Sequence, residues 1–448
     1  MNEPREPGRP PPHSLARSTF FALQADVVAG VSDLVLAIVV ARGLGPANRG
    51  VYFLALFAAT LIALVGNMGL AAAALVYGAS QRLPLAELHG MAIVCGVVVG
   101  ALGAALLLGL QEVLTDSVLR GVDGTILILV SVSLAPLIYA QVVGALITGM
   151  GHVPEISKLR IAVALATPAL TIPAVVLGDG EPLWPVAAWL VVTIGFATAL
   201  ARLALRHMAR PCRPSRATIG QVVSFAVRGH VGTLAHQGFL RVDVLFISAR
   251  LGPASVGLYA QASVLAERMS TLGQAMYASS AARLGSDPPR DAALLTAELV
   301  RVLLLVMVPV AALLAASSHL VMVVLFGNAF APAALPFAIL LPGTVCLTLW
   351  YVVSLYVLAT LRRPGATTII QGTAFIVSVP LYILAIDKWG LNGAALVSSV
   401  VYAAVFAAGL SFLLRSPDVR AADLIPRRAD VRHMTGLGRQ ALAALPGR

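Results

Sequence analysis

At 448 residues, 59% hydrophobic and only 11% charged, with a mean hydropathy of +0.90, the chain is too apolar to cover itself with polar groups. Soluble domains average about 25% charged residues, so the solvent for much of this surface is lipid, and a water-soluble enzyme or binding module is excluded. The net charge of +11 does not signal nucleic acid, because the basic residues fall between apolar runs and in the two tails, as membrane topology requires.

The N-terminal stretch 1–17 is Pro-rich and polar, and lacks the apolar core and small-residue cleavage site of a signal peptide. It reads as a disordered cytoplasmic tail, 1–18. Apolar stretches long enough to cross about 30 Å of hydrocarbon then follow one another. They are predicted at 19–41, 50–78, 86–110, 123–149, 157–178, 182–207, 218–249, 256–283, 292–316, 331–360, 365–386 and 390–414, with Leu320–Phe326 extending the ninth. The expected organisation is an N-terminal six-helix bundle (19–207), a basic cytoplasmic linker (208–217), a C-terminal six-helix bundle (218–414) and a basic cytoplasmic tail (415–448). The tail holds seven arginines and suits anionic lipid or a docking partner.

With the N-terminus cytoplasmic, the segments on that side hold 22 Lys and Arg, the opposite side holds 5 (Arg42, Arg49, Arg120, Arg250, Lys388) and 4 lie inside helices. This bias in short loops predicts both termini inside and a multi-pass protein of the inner, cytoplasmic cell membrane. No connection is long enough for an extramembrane domain, and no Walker motif, phosphate loop or metal-ligand spacing is present. The three cysteines (Cys95, Cys212, Cys346) form no disulfide or metal framework. An enzyme acting on lipid-linked sugar would need acidic residues in a sizeable external loop, so the chain reads as a transporter and not an enzyme, with no cofactor.

An internal repeat is the strongest feature. Residues 44–52 read LGPANRGVY and residues 251–259 read LGPASVGLY, six of nine identical at an offset of 207, each preceded by Ala-Arg (Ala41-Arg42, Ala249-Arg250). Gly45 and Gly252 permit positive φ, and Pro46 and Pro253 stop the preceding helix. Tyr52 and Tyr259 are expected in the interfacial aromatic belt. Six spans, an even number, separate the copies, so the halves insert in the same sense. The fold class predicted is an all-α polytopic membrane protein, with two parallel-repeat six-helix bundles around a central cavity.

With these residues, the chain resembles the oligosaccharide flippases of the multidrug/oligosaccharidyl-lipid/polysaccharide (MOP) exporter superfamily, over roughly 19–414. The resemblance rests on Ala41-Arg42 through LGPANRGVY, on Leu240-Arg241-Val242-Asp243 before LGPASVGLYAQA, on LFGNAFAPA at 325–333 and on GLNGAA at 390–395. It implies carriage of polyprenyl-diphosphate-linked oligosaccharide from the cytoplasmic to the external leaflet by alternating access, for cell-surface polysaccharide synthesis. The implied partners are that lipid-linked oligosaccharide and membrane lipids, with a polysaccharide polymerase as an open further partner and no nucleic acid. Lipid II flippases of the superfamily carry several arginines in their first two helices, whereas here those spans hold only Asp26 and Asp33. A lipid II-type flippase and a multidrug or small-metabolite exporter remain the alternatives.

Ionisable residues inside spans cost at least ~2.5–3.5 kcal/mol to insert and are functional candidates by default. Arg241 is the foremost substrate-binding candidate, followed by Arg228, Arg268 and Arg301, because guanidinium groups can replace the lost hydration of a diphosphate. Asp33, Asp26, Asp243 and Glu267 are candidates for coupling to H+ or Na+. Structural readings stay open beside these: an ion pair of Arg241 with another helix, for example with Asp33, and snorkelling of Arg228 and Arg301 to the interface. Asn67 and Gln274 are expected to bond between helices, and His230 and His236 to be packing residues.

Overall fold

Backbone groups in hydrocarbon must be satisfied within their own segment, which leaves a chain of this composition helices as its solution. The computed structural model describes residues 12–426, and every regular element among them is helical. In chain order these are α1 (Pro12–Gly66), α2 (Leu70–Ser80), α3 (Leu85–Gly109), α4 (Gln111–Asp116), α5 (Gly124–Gly149), α6 (Val153–Leu177), α7 (Leu183–His207), α8 (Arg216–Leu251), α9 (Pro253–Glu267), α10 (Ser270–Ser286), α11 (Pro289–Ala316), α12 (Ser318–Phe326), α13 (Ala334–Leu355) and α14 (Pro364–Leu414). Short 3-10 turns cover Asn328–Ala333 and Ala421–Leu424, and a π-helical turn, Tyr356–Thr360, extends α13.

All twelve expected spans are present as helical stretches, grouped differently. Eight helices are long and apolar enough to cross a membrane. Two of them are two arms joined at a kink, α1 at Gly45 (φ 68°) and α14 at Gly390 (φ 56°). The helices α8, α9 and α10 supply the remaining spans and carry more polar residues. The second span breaks at Met68 and Gly69, both of positive φ, and the eighth breaks between Glu267 and Ser270. Pro12–Ser18, expected in the tail, are helical, and α12 is separated from α11 at Ser317. The tail expected at 1–11 and the stretch 427–448 lie outside the described residues.

The chain divides into two compact units. The first runs to Leu234 and includes Gly252–Gly257; the second comprises Ala235–Leu251 and the residues from Leu258 on. In the first unit, glycines let helices approach closely, as lipid-embedded packing favours. A side-chain carbon at Gly78 of α2 would meet the Leu146 carbonyl of α5 at 2.7 Å, and one at Gly149 of α5 would strike the Leu75 carbonyl of α2. Gly100 of α3 lies equally tightly on Ala135 of α5. Asn67, at the end of α1, donates to Gln141 Oε1 of α5 at 2.8 Å, while its own Oδ1 accepts from the Gly69 N–H at 2.9 Å and so fixes the turn into α2. The second unit is centred on α13, whose Trp350 and Phe337 are fully buried together with Phe239, Phe330 and Tyr382. Gly343 packs on Ser399, and Gly409 on the Trp350 ring.

Both repeat copies interrupt a helix at the expected glycine. Helix continues on both sides of Gly45, so Arg42 and Arg49 belong to α1. Arg49 is buried, with its guanidinium 5.4 Å from the Tyr52 ring centroid and 5.7 Å from that of Phe53. Tyr52 and Tyr259 are buried as well, not belted at an interface. The Tyr259 hydroxyl finds polar partners inside the protein, Asp243 and Ser398, which removes the reason for this aromatic to sit at the headgroups. Gly252 takes φ 80°, matching Gly45. The copies meet reciprocally: a Cβ on Gly50 would strike the Pro253 carbonyl, and one on Gly257 would strike the Pro46 carbonyl.

Candidate functional site

The charged residues predicted from sequence fall into distinct settings. Arg241 and Glu267 come together in the second unit. Arg241 Nη1 donates to Glu267 Oε1 at 2.9 Å and Nη2 to Oε2 at 2.6 Å, a bidentate pair between α8 and α9. The side chains are 30% and 21% exposed, so the pair is sheltered but reachable. Arg241 thus pairs with Glu267 and not with Asp33. Its guanidinium edge is occupied, and any anionic ligand taking that edge must displace a carboxylate.

Two residues along α8, Asp243 is buried in a polar network of its own. Its Oδ2 accepts from the Tyr259 hydroxyl at 2.7 Å and from Ser398 Oγ at 3.3 Å, and its Oδ1 accepts from the Val244 N–H at 2.8 Å. Ser398 Oγ lies 2.9 Å from both the Tyr259 and Tyr382 hydroxyls. The carboxylate therefore ties α8, α9 and both arms of α14 into one hydrogen-bonded knot. A buried carboxylate is tolerated in such a place because its lone pairs are met by these donors.

Near these groups the second unit has an open cavity of about 400 Å³ walled by His236, Gln274, Tyr277, Trp350, Tyr351 and Gln371, among others. Gln371 Nε2 lies 3.1 Å from His236 Nδ1, and the His236 and Tyr351 rings meet edge to face at 6.2 Å. His236 lies on α8 five residues before Arg241. Gln274 is part of this wall and bonds within its own helix, to Ser270 Oγ at 3.3 Å, instead of between helices.

The other predicted residues sit elsewhere. Arg268, next to Glu267, lines a largely apolar cavity of about 660 Å³ with Leu272, Met307 and Leu320. Arg301 donates to the Asp423 carbonyl at 2.6 Å, anchoring the 3-10 turn after α14. In the first unit, Arg228 is exposed and reaches back to its own helix, to the Ser224 carbonyl at 2.8 Å and the Ser224 hydroxyl at 2.6 Å. Asp26 accepts from Arg160 of α6 at 2.7 Å, and Asp33 is exposed on α1. Sequence reasoning did not anticipate Tyr259, Tyr382 and Ser398 around Asp243, because an isolated Tyr or Ser in an apolar helix carries no spacing signal. It also missed the gathering of His152, Glu155 and His207, since the third member lies 52 residues beyond Glu155.

These features define a class: a polytopic membrane protein that is helical throughout its described residues. The structure is similar to that of the lipid II flippase MurJ in an inward closed conformation, with a TM-score of 0.67 and 14% identity over 96% of this chain and 94% of that one. It is similar also to the Vibrio cholerae MATE transporter VcmN in the bent form, with a TM-score of 0.61 and 16% identity over 90% of this chain and 98% of that one. An inward-facing multidrug resistance MATE family transporter gives a TM-score of 0.63 and 15% identity over 87% of this chain and 96% of that one. At these identities the likeness establishes the fold. No curated protein matches the sequence at a significant level. Residues 39–335, more than half of the chain, match the family described as polysaccharide biosynthesis protein, and the chain belongs to that family.

Proposed function

We propose that the protein carries a polyprenyl-diphosphate-linked oligosaccharide from the cytoplasmic to the external leaflet by alternating access. The observation that carries this reading is the Arg241–Glu267 pair near a cavity walled by aromatic rings and amides, in a chain of the polysaccharide biosynthesis family. Aromatic faces suit the C–H faces of sugar rings, and amide groups suit their hydroxyls. A guanidinium suits a diphosphate, which it grips through two parallel hydrogen bonds. In this reading Arg241 exchanges Glu267 for the substrate diphosphate. A proton or Na+ taken up at Glu267 or Asp243 offsets the change in charge. Arg228, Arg268 and Arg301 are secondary substrate contacts, and Asp26 and Asp33 are alternative coupling sites. The excess of 22 over 5 basic residues supports an inner-membrane protein with both termini cytoplasmic. A polymerase acting on the flipped lipid is the expected downstream partner.

Cells lacking the protein are expected to accumulate lipid-linked repeat units in the cytoplasmic leaflet, measured by protection of the glycan from an externally added glycosidase in spheroplasts. Normal arrival of those units at the external leaflet refutes the reading. Altered resistance to cationic compounds with an intact glycan points to the exporter alternative, and retention of lipid II alone to the lipid II-type flippase.

A further inference from the structure

Outside the region assigned to transport, the first unit gathers two histidines and a carboxylate that sequence spacing does not link. α6 and α7 are antiparallel neighbours, so the start of one and the end of the other share an end of the bundle. His152 is the residue before α6 and follows Gly151, whose φ of 91° turns the chain out of α5. Glu155 lies in the first turn of α6, and His207 is the last residue of α7. His152 Nδ1 is 3.3 Å from Glu155 Oε1, and His207 Nε2 is 2.8 Å from Glu155 Oε2. The imidazole centroids are 3.8 Å apart, and one ligand atom from each of the three residues lies within 4.8 Å of the other two.

From this geometry we infer that His152, Glu155 and His207 form a binding site for a divalent transition metal of the Zn2+ type, clamping the start of α6 to the end of α7. Bonds of about 2.0–2.2 Å to nitrogen and oxygen in a tetrahedral site set ligand atoms roughly 3.3–3.5 Å apart. The His152–Glu155 distance of 3.3 Å already matches that spacing, while the 2.8 Å between His207 and Glu155 is a hydrogen bond that an ion would replace and open slightly. The donor set, two imidazoles and one carboxylate, suits Zn2+ and disfavours Mg2+ or Ca2+, which take oxygen ligands. Side-chain exposures of 31%, 41% and 25% leave a path for the ion and room for water as a fourth ligand. A purely local reason for these residues also exists, since a carboxylate suits a helix start and a histidine a helix end. That reason explains His207 and Glu155 singly. It does not explain why both rings crowd one carboxylate. The clamp would act just before the 208–217 stretch that leads from α7 into α8.

The test is metal titration of the purified full-length protein, carrying a histidine-free affinity tag, in detergent after chelator treatment. Calorimetry with Zn2+ is expected to give one ion per chain, and Co2+ substitution the visible absorption of a four-coordinate site. His152→Ala and His207→Ala are each expected to weaken Zn2+ binding at least about tenfold and to abolish the rise in melting temperature that Zn2+ gives the wild type. Glu155→Gln keeps the fold and is expected to lose most of the affinity. The inference is overturned if no stoichiometric Zn2+ binds. Undiminished binding in the His152→Ala/His207→Ala double variant, with a wild-type melting curve in chelator, overturns it equally.

Discussion

The Arg241–Glu267 pair allows its structural and transport roles to be measured apart. Two charge-assisted hydrogen bonds, at 2.9 and 2.6 Å, join the groups. Hydrogen bonds to charged groups contribute about 1.5–3 kcal/mol each. Two of them sum to about 3–6 kcal/mol, and screening at 30% and 21% exposure brings the total to the bottom of that range or below, so a coupling energy of roughly 2–3 kcal/mol is expected for the pair. The perturbation is a double-mutant cycle of Arg241→Ala, Glu267→Ala and the combined variant, with unfolding free energies from denaturant titration in detergent micelles. Each single variant strands a charge in a sheltered site, and the double variant removes both charges. Its cost should therefore be well below the sum of the singles. Additivity within about 0.5 kcal/mol would show that the pair is not formed in the resting protein. Leaflet transfer of the lipid-linked glycan by the same variants then separates the roles. Arg241→Ala should abolish it, Arg241→Lys should keep a fraction, and Glu267→Gln should fold and retain part of it. Wild-type transfer by Arg241→Ala would remove Arg241 from the substrate path.

Three further outcomes follow from the packing and the polar knot. Gly257→Val drives a branched side chain into the Pro46 carbonyl and should prevent normal accumulation in the membrane, whereas Gly195→Ala, with open space around it, should be neutral or add up to about 1 kcal/mol of stability; melting curves decide, and a normal Gly257→Val protein would refute the close approach. Trp350→Ala empties the middle of the second unit at a site only 1% exposed and should cost about 3–5 kcal/mol, measured by the same titration. Asp243→Asn preserves shape and hydrogen-bonding reach while removing the charge, so under the coupling role the protein should stay folded while transport loses its dependence on the ion gradient; unchanged gradient dependence in proteoliposomes would exclude Asp243 from coupling.

The spans were legible because lipid imposes a coarse demand: about twenty apolar residues, punctuated where glycine and proline end a helix. The repeat was legible for a related reason. Gly45 and Gly252 must both take a conformation that other residues avoid, and that need preserves the LGP string. In the structure Gly45 is a non-helical break between two helical arms, as Gly252 is between α8 and α9. Arg49, read from sequence as a loop residue, lies buried in the second arm of α1. Within the candidate site, charged residues announced themselves by their cost in hydrocarbon, but their partners did not. Glu267 belongs with Arg241 because α8 and α9 pack in one register, and no one-dimensional rule supplies that register. Arg301 turned toward a backbone carbonyl 122 residues away.

The meeting of LGPANRGVY with LGPASVGLY has the logic of a self-complementary patch. Each copy presents a glycine to the carbonyl of the other's proline, so the same glycine and proline serve on both sides of one contact. Such reciprocity is the local logic of an isologous contact, here within a single polypeptide. A chain that arose by duplication inherits such a joint ready-made, and neither copy is then free to drift. Enlarging one glycine cannot be offset by shrinking its counterpart, which has no side chain left to lose.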